Sequence, residues 1–554
     1  MAVLVLIGGL LYPTNNYDAL AYRVPRTLHW LAEGHWHWIH TAFHRMNTRA
    51  QGVEWIMAPV LLFMRTERWM WLQNFVMFLL MPGLLFSIFR RLAVPRRVAW
   101  QWMWILPGGY VYVLQAGSIA NDLPGVFFVL AAVDLALRAR TSGRVSELWV
   151  SMLAIALATA VKASNAPLGL VWLVAALPTL RLRLRHIPAT IAVALVSVLV
   201  SFIPGAVLNT HYCGDWSGAK LELGNLGKAP AWVLVSGNVL SLTTQNLTPP
   251  VLPGAARLTD KAMSFLPRSY REKLRDSFEG SGVVFMTSEL QIEELAGLGC
   301  GASMLLLVSG TAGIFARRLS SKDWWLWCAP SAPWAAFLIY IAKMGLSNSG
   351  RLAAPYYPLL SVVILAAPGA TLLARRSFWR WLCAVHFAAA IFLLVVSPSR
   401  PLWSALNVID AMQKRGTSPG FLQKLRAVYE AHQIRHDALA PVRKALPKEA
   451  RAAGLVTGDD LETSLWRPFG LRRFLHVTAD DTAGTLSKAG LEYLAVNEFA
   501  LEEQMQSSLT DWLPHMNAKL IQTIPIHARG SRGTENWHIV KLAAPATSAP
   551  LFGK

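Results

Sequence analysis

Long apolar runs separated by short basic turns dominate the first 400 positions of the chain. A helix needs about 20 residues to cross a bilayer. Cores near that length stand at 69–89, 98–115, 119–137, 146–161, 164–180, 187–208, 301–316, 324–342, 352–374 and 377–397. An eleventh, 1–12, opens the chain and is too short to cross alone. It lacks the basic lead and A-x-A-like cleavage site of a signal peptide, so it reads as a membrane helix that is incomplete or begins upstream. Two further apolar stretches, 53–64 (VEWIMAPVLLFM) and 230–242, read as helices lying in the membrane interface. A crossing at 53–64 would invert the charge pattern that follows it.

After Ser397 the pattern changes, and no membrane-length apolar run follows. Short β-type runs at 454–457, 474–477, 493–496, 518–524 and 537–542 alternate with helical spacing at 418–434, 481–490 and 498–513. Strands alternating with helices predict a small α/β layer. The expected fold class is an α-helical polytopic membrane protein of about eleven transmembrane helices with a small C-terminal α/β extracytoplasmic domain. The expected division is a multi-pass region at 1–400, with large outer loops at 13–68 and 209–300, and a soluble region at 401–554.

Charge supplies the orientation. The connectors 90–97, 138–144, 181–186, 317–323 and 375–380 hold 16 of the 52 Lys and Arg in 34 positions, with one acid, Asp323. Two crossings separate each from the next, so all five share a face, and short basic loops stay cytoplasmic. The opposite connectors and everything after 397 then face outward, which places the chain in the plasma (inner) membrane with its C-terminal region extracytoplasmic. The net charge of +20 needs no nucleic-acid partner once these turns are counted. Composition agrees: 54% hydrophobic, 15% charged, mean hydropathy +0.37 and 23 Trp, a residue favoured at membrane–water boundaries. Four cysteines have no metal-finger spacing. Cys213 and Cys300 bracket the large outer loop, and an oxidising compartment would permit a bridge between them, the lesser of the two readings beside free thiols.

Candidate chemistry concentrates in the first outer loop, 12–55, where Asp18 is followed by Arg23, Arg26, Arg45 and Arg49 and by five of the fourteen histidines. Helical spacing over 18–33 aligns Asp18, Tyr22, Arg26 and His29 or Trp30. Arginine forks suit phosphate oxygens; the plainer reading is an interfacial helix whose Arg and Trp meet lipid headgroups. His35, His37, His40 and His44 contain helical neighbours, so a structural metal is the lesser alternative there. Later outward turns carry Asn121 and Asp122, then Lys162, Ser164 and Asn165, then Asn348 and Arg351. Ionisable groups beside apolar runs are costly and point to function, although snorkelling also explains Lys162 and Arg351. Asp134 has Arg138 one turn on as an ion-pair partner.

At these residues the chain resembles the GT-C class of membrane glycosyltransferases, nearest to bacterial family 39-type proteins, relatives of protein O-mannosyltransferases and the lipid A aminoarabinose transferase. NNYDALAYRVPRTLHWL at 15–31 is similar to the Asp-x-x-x-Tyr-x-x-x-Arg-x-x-x-Trp pattern of that group's first outer loop. IANDL (119–123), ATAVKASNAPL (158–168) and GRLAAPYYPLL (350–360) are similar to later landmarks in the same order. The resemblance implies inverting transfer of a sugar from a polyprenyl-phosphate donor to an envelope acceptor, a glycan, lipid or protein. It casts Asp18 as general base, with Asp122 or Glu54 as a possible second carboxylate. Tyr22, Arg23, Arg26, Arg49, Lys162, Asn165 and Arg351 are the expected substrate-binding residues. Protein mannosyltransferases commonly have a second acid directly after the first; Ala19 stands there in this chain. No cofactor is expected, and nothing in the sequence supports a divalent metal. The competing function is a transporter or flippase of lipid-linked sugars, for which the chain lacks detectable inverted repeats.

Overall fold

The computed structural model describes residues 1–179, 186–222, 227, 229–278, 289–315, 325–345, 349–415, 419–529 and 533–543. The connector 317–323, nearly all of 181–186, and Asn348 lie outside the described residues. The chain is mostly helical with one small sheet, and it divides into two compact units.

The first unit comprises Met1–Pro13, Thr48–Val53 and Met70–Leu425. Its helices are apolar on more than one side. In Trp71–Arg91, Met81, Leu85 and Ile88 are buried while Val76, Leu79 and Leu80 are exposed. An apolar face left uncovered by protein is what a lipid-facing helix requires. The helix Ile187–Leu199 takes this furthest, with no buried residue along its length. Aromatic rings fill the interior, among them Trp102, Trp379, Tyr110, Tyr112 and Tyr356.

Among the described residues, two helices are long and apolar enough to cross a membrane alone, Trp71–Arg91 and Ser377–Val396. A third counts if the pair Ile187–Leu199 and Ile203–Cys213, bent by 49°, is one span. Eleven separate crossings therefore do not follow from helix length. Proline and glycine break several expected cores: 98–115 becomes Arg96–Ile105 and Tyr110–Gln115 around Leu106–Gly108, and 164–180 becomes Leu168–Ala176 with a tight turn on either side. The stretch 230–242 forms the helix Ala231–Leu247. Asp134 pairs with Arg138 at 2.7 Å and with Arg91 at 3.7 Å. The expected disulfide is corrected: Cys213 and Cys300 are free thiols, and Cys300 Sγ lies 3.3 Å from the Tyr110 hydroxyl.

The second unit comprises Thr14–Asn47, Glu54–Trp69 and Arg426–Lys554. Its sheet contains β1 (Ala452–Val456), β2 (Arg473–His476), β3 (Tyr493–Asn497), β4 (Ala518–Arg529) and β5 (Gly533–Leu542), in the order β2-β1-β3-β5-β4. β1 runs parallel to β2 and β3, and β5 runs antiparallel to β3 and β4. β1 and β3 are buried at four of their five positions, as strands covered on both faces must be. Gly454 leaves room for a neighbouring side chain there: a Cβ would meet Leu494 Cδ2 at 2.3 Å and force it to shift. Side chains of Thr482, Asn497 and Ser508 cap the short helices that follow them.

These units do not divide at 400/401. Residues 401–425 group with the first unit, and most of the first outer loop groups with the C-terminal segment. Hydrogen bonds explain the second grouping. The Tyr17 hydroxyl donates to Asp459 O (2.5 Å), the Thr463 hydroxyl donates to Leu20 O (2.7 Å), and Arg467 pairs with Glu67.

Candidate active site

Most of the sequence-predicted residues fall into two clusters, one within each unit, while Arg49 and Asn165 make separate contacts in the first unit. In the second unit, Ala19–Arg23 forms a π-helical turn that leads into the helix Val24–Glu33, with Pro25 in its first turn. The Asn16 side chain opens the turn by accepting the Ala19 amide at 3.0 Å. A π turn aligns residues five apart rather than four. Arg23, not Tyr22, therefore reaches Asp18, at 3.2 Å. Asp18 is partly exposed and Arg23 is buried. Burial opposes the Arg23 charge, but Tyr22, Asp18 and Glu54 outweigh it and hold the guanidinium above its ordinary value.

Tyr22, Arg26 and Trp30 do gather as their spacing predicts. The Arg26 guanidinium lies 5.8 Å from the Tyr22 ring centre and 5.5 Å from that of Trp30. It is wholly buried, paired with Glu54, and donates to Met46 O at 3.1 Å. Buried charges persist when paired and hydrogen-bonded. This arrangement makes Arg26 and Glu54 a brace across the loop.

The histidines separate by environment. His35 is exposed and His37 half-buried, both bond backbone carbonyls, and His40 reaches Asp481 at 2.9 Å. His29 is buried with its Nε2 3.0 Å from Glu462 Oε1, while His476 Nε2 lies 2.9 Å from Glu462 Oε2. Burial favours the neutral acid at Glu462, yet His476 and His29 prevail and hold its carboxyl below the usual range. Burial lowers His29 from its ordinary value despite Glu462. Sequence reasoning missed Glu462 and His476, which carry no motif.

In the first unit, Asp122 opens the helix Asp122–Ser142 and is almost fully buried. Lys162, at the end of the helix Val145–Val161, donates to Asp122 Oδ1. Arg351 Nε, in the short helix Ser349–Leu352, lies 3.5 Å from Asp122 Oδ2. Gln115 Nε2 donates to the same oxygen at 2.9 Å, while its Oε1 accepts the Leu123 amide. Sequence reasoning missed Gln115, although an amide at the end of an apolar run was a usable signal. Asn165 Nδ2 donates to Ala158 O at 3.0 Å, and a Cβ at Gly125 would meet that nitrogen at 2.8 Å, so glycine lets the two segments approach. Arg49 pairs with Glu222, whose other oxygen accepts from Thr48. Glu293 forms a further buried network with Ser118 and Arg400 that sequence reasoning did not anticipate.

The fold has known counterparts. The crystal structure of ArnT from Cupriavidus metallidurans in the apo state is similar, with a TM-score of 0.51 at 14% identity over 97% of this chain and 96% of that one. ArnT from the same organism bound to undecaprenyl phosphate gives 0.48 at 12% identity, over 98% and 96% of the two chains. The Archaeoglobus fulgidus oligosaccharyltransferase in the apo form gives 0.41 at 10% identity, over 99% and 75%. The first of these shows that the chain shares the fold of that ArnT structure. No family model matches the chain, and no curated protein matches its sequence.

Proposed function

We propose that the chain is an integral membrane glycosyltransferase that moves a sugar from a polyprenyl-phosphate donor to an envelope acceptor with inversion. The observation that carries this reading is Asp122 held by both Lys162 and Arg351. One carboxylate faces two cations, so these three groups together are net positive in a buried setting. Such a group favours a phosphate, and positive charge also stabilises the phosphate as it leaves the sugar. Asp122 then positions the two cations. ArnT, whose fold the chain shares, binds undecaprenyl phosphate, a ligand of this class.

Asp18 is the proposed general base. An acceptor hydroxyl must lose its proton as the new bond forms, and a partly exposed carboxylate can take it. Phosphate is already a good leaving group, so no acid is needed opposite it. Arg23 pairs with Asp18, and Tyr22 in the second unit and Arg49 and Asn165 in the first are proposed to contribute to substrate binding. The proposed location is the plasma membrane, with the first loop and the C-terminal region outside.

Purified protein in liposomes, supplied with a radiolabelled polyprenyl-phosphate sugar and envelope extract as acceptor, tests the reading. Label transferred to an acceptor supports it. Label moved between leaflets without transfer identifies a flippase instead, and neither outcome removes both readings.

A further inference from the structure

The buried trio His29, Glu462 and His476 has no part in the proposed transfer. The three come from separate pieces of the second unit: the helix Val24–Glu33, the turn Glu462–Ser464 and the end of β2. One ligand-capable atom from each lies within 4.8 Å of the others, and this is the one such group of His, Cys, Asp or Glu among the described residues. The two imidazole planes are nearly perpendicular, at 82°, with ring centres 4.9 Å apart. Both rings turn Nε2 toward the same carboxylate, one onto each oxygen.

We propose that these three residues form a Zn2+ site that fastens the first-loop helix to the C-terminal sheet. Two imidazole nitrogens and one carboxylate oxygen supply three donors, and a water completes the four-coordinate mix of nitrogen and oxygen that zinc favours. Ligands about 2.1 Å from zinc in a tetrahedron stand about 3.4 Å apart. The two imidazole-to-carboxylate separations of 2.9 and 3.0 Å need open by a few tenths of an ångström, and all three donor atoms already lie within 4.8 Å of one another. Nitrogen ligands disfavour Mg2+ and Ca2+, which prefer oxygen.

Outer contacts support the assignment. The Thr41 hydroxyl lies 2.6 Å from His476 Nδ1, and Trp466 Nε1 donates to Glu462 Oε1 at 2.8 Å. A ligating histidine ordinarily donates its other ring N–H to such a partner, which fixes the ring and turns the free lone pair inward. In the hydrogen-bonded trio each Nε2 carries the proton that faces Glu462; on zinc binding that proton shifts to Nδ1, which for His476 lies toward Thr41, and Nε2 is presented to the ion. His29 likewise carries its proton on Nδ1, so neither imidazole loses a net proton.

Full-length protein in detergent, stripped with a chelator and re-equilibrated with Zn2+ alone, tests the site. Elemental analysis of the wild type should find about one zinc per chain, and His29→Gln or His476→Gln should lose it. Co2+ in place of Zn2+ should give the visible absorption of a four-coordinate ion in the wild type only. Thr41→Val spares the ligands and should weaken zinc affinity about 10- to 100-fold against a competing chelator. Wild type without zinc above buffer level overturns the proposal and leaves a hydrogen-bonded trio. Equal zinc in wild type and both histidine variants also overturns it. These readouts are independent of sugar transfer.

Discussion

Asp18 and Arg23 meet at 3.2 Å although they lie five residues apart, because the chain between them winds as a π turn. An ordinary α-helical turn would have presented Tyr22 to the carboxylate instead. This single irregularity gives the proposed base a cationic partner.

Asp18→Asn should therefore abolish transfer in the liposome assay, by about 100- to 10,000-fold, the usual worth of a general base. Size-exclusion behaviour and thermal unfolding should match the wild type, since Asp18 is partly exposed. Full activity in a folded variant would remove the base assignment.

Lys162→Gln and Arg351→Gln should chiefly raise the KM for the lipid-phosphate donor, because each removes a cation beside Asp122. Asp122→Asn should act differently, lowering the thermal midpoint as well. Removing one partner of a buried ionic group costs about 3–5 kcal/mol. Donor kinetics unchanged in both cation variants would speak for lipid-facing snorkels.

The brace between Arg26 and Glu54 should be a stability element. Glu54→Gln should destabilise the protein by about 3–5 kcal/mol, since it strands a wholly buried guanidinium. The double variant Arg26→Met with Glu54→Leu should recover most of that loss. Thermal unfolding in detergent and limited proteolysis of the first loop read both outcomes.

Asp437 supplies a pH test. Burial favours its neutral form, but Arg443, Ser464 and Arg467 outweigh burial and bring the carboxyl down to about 2. A carboxyl depressed on folding contributes stability above its unfolded value of about 3.9, and that contribution disappears as pH falls toward 2. Wild type should therefore melt above Asp437→Asn at pH near 6, with the gap closing progressively below about pH 4. A gap independent of pH would mean that the side chain matters through shape rather than charge.

Several elements were legible from the chain itself. The five strand runs became β1 to β5 with ends shifted by a few residues, because a short run of β-forming residues is a property of neighbouring positions. Tyr22, Arg26 and Trp30 gather as four-residue spacing implies. The pairing of Asp134 with Arg138 follows from the same local rule. Helix breaks at Leu106–Gly108 and in the 187–208 run were less legible, since long apolar runs hide where the axis turns.

What the amino-acid sequence determined by itself was periodicity, charge distribution and the first-loop motif, all of which are written in residues close together along the chain. Tertiary structure alone decided which charges distant in the chain meet. Arg26 finds Glu54 28 positions away, Asp122 finds Lys162 40 away, and His29 finds Glu462 433 away. Such partners are chosen by how packed elements bring buried groups within hydrogen-bonding reach, because a buried charge or polar group without one is costly. No local pattern encodes that choice.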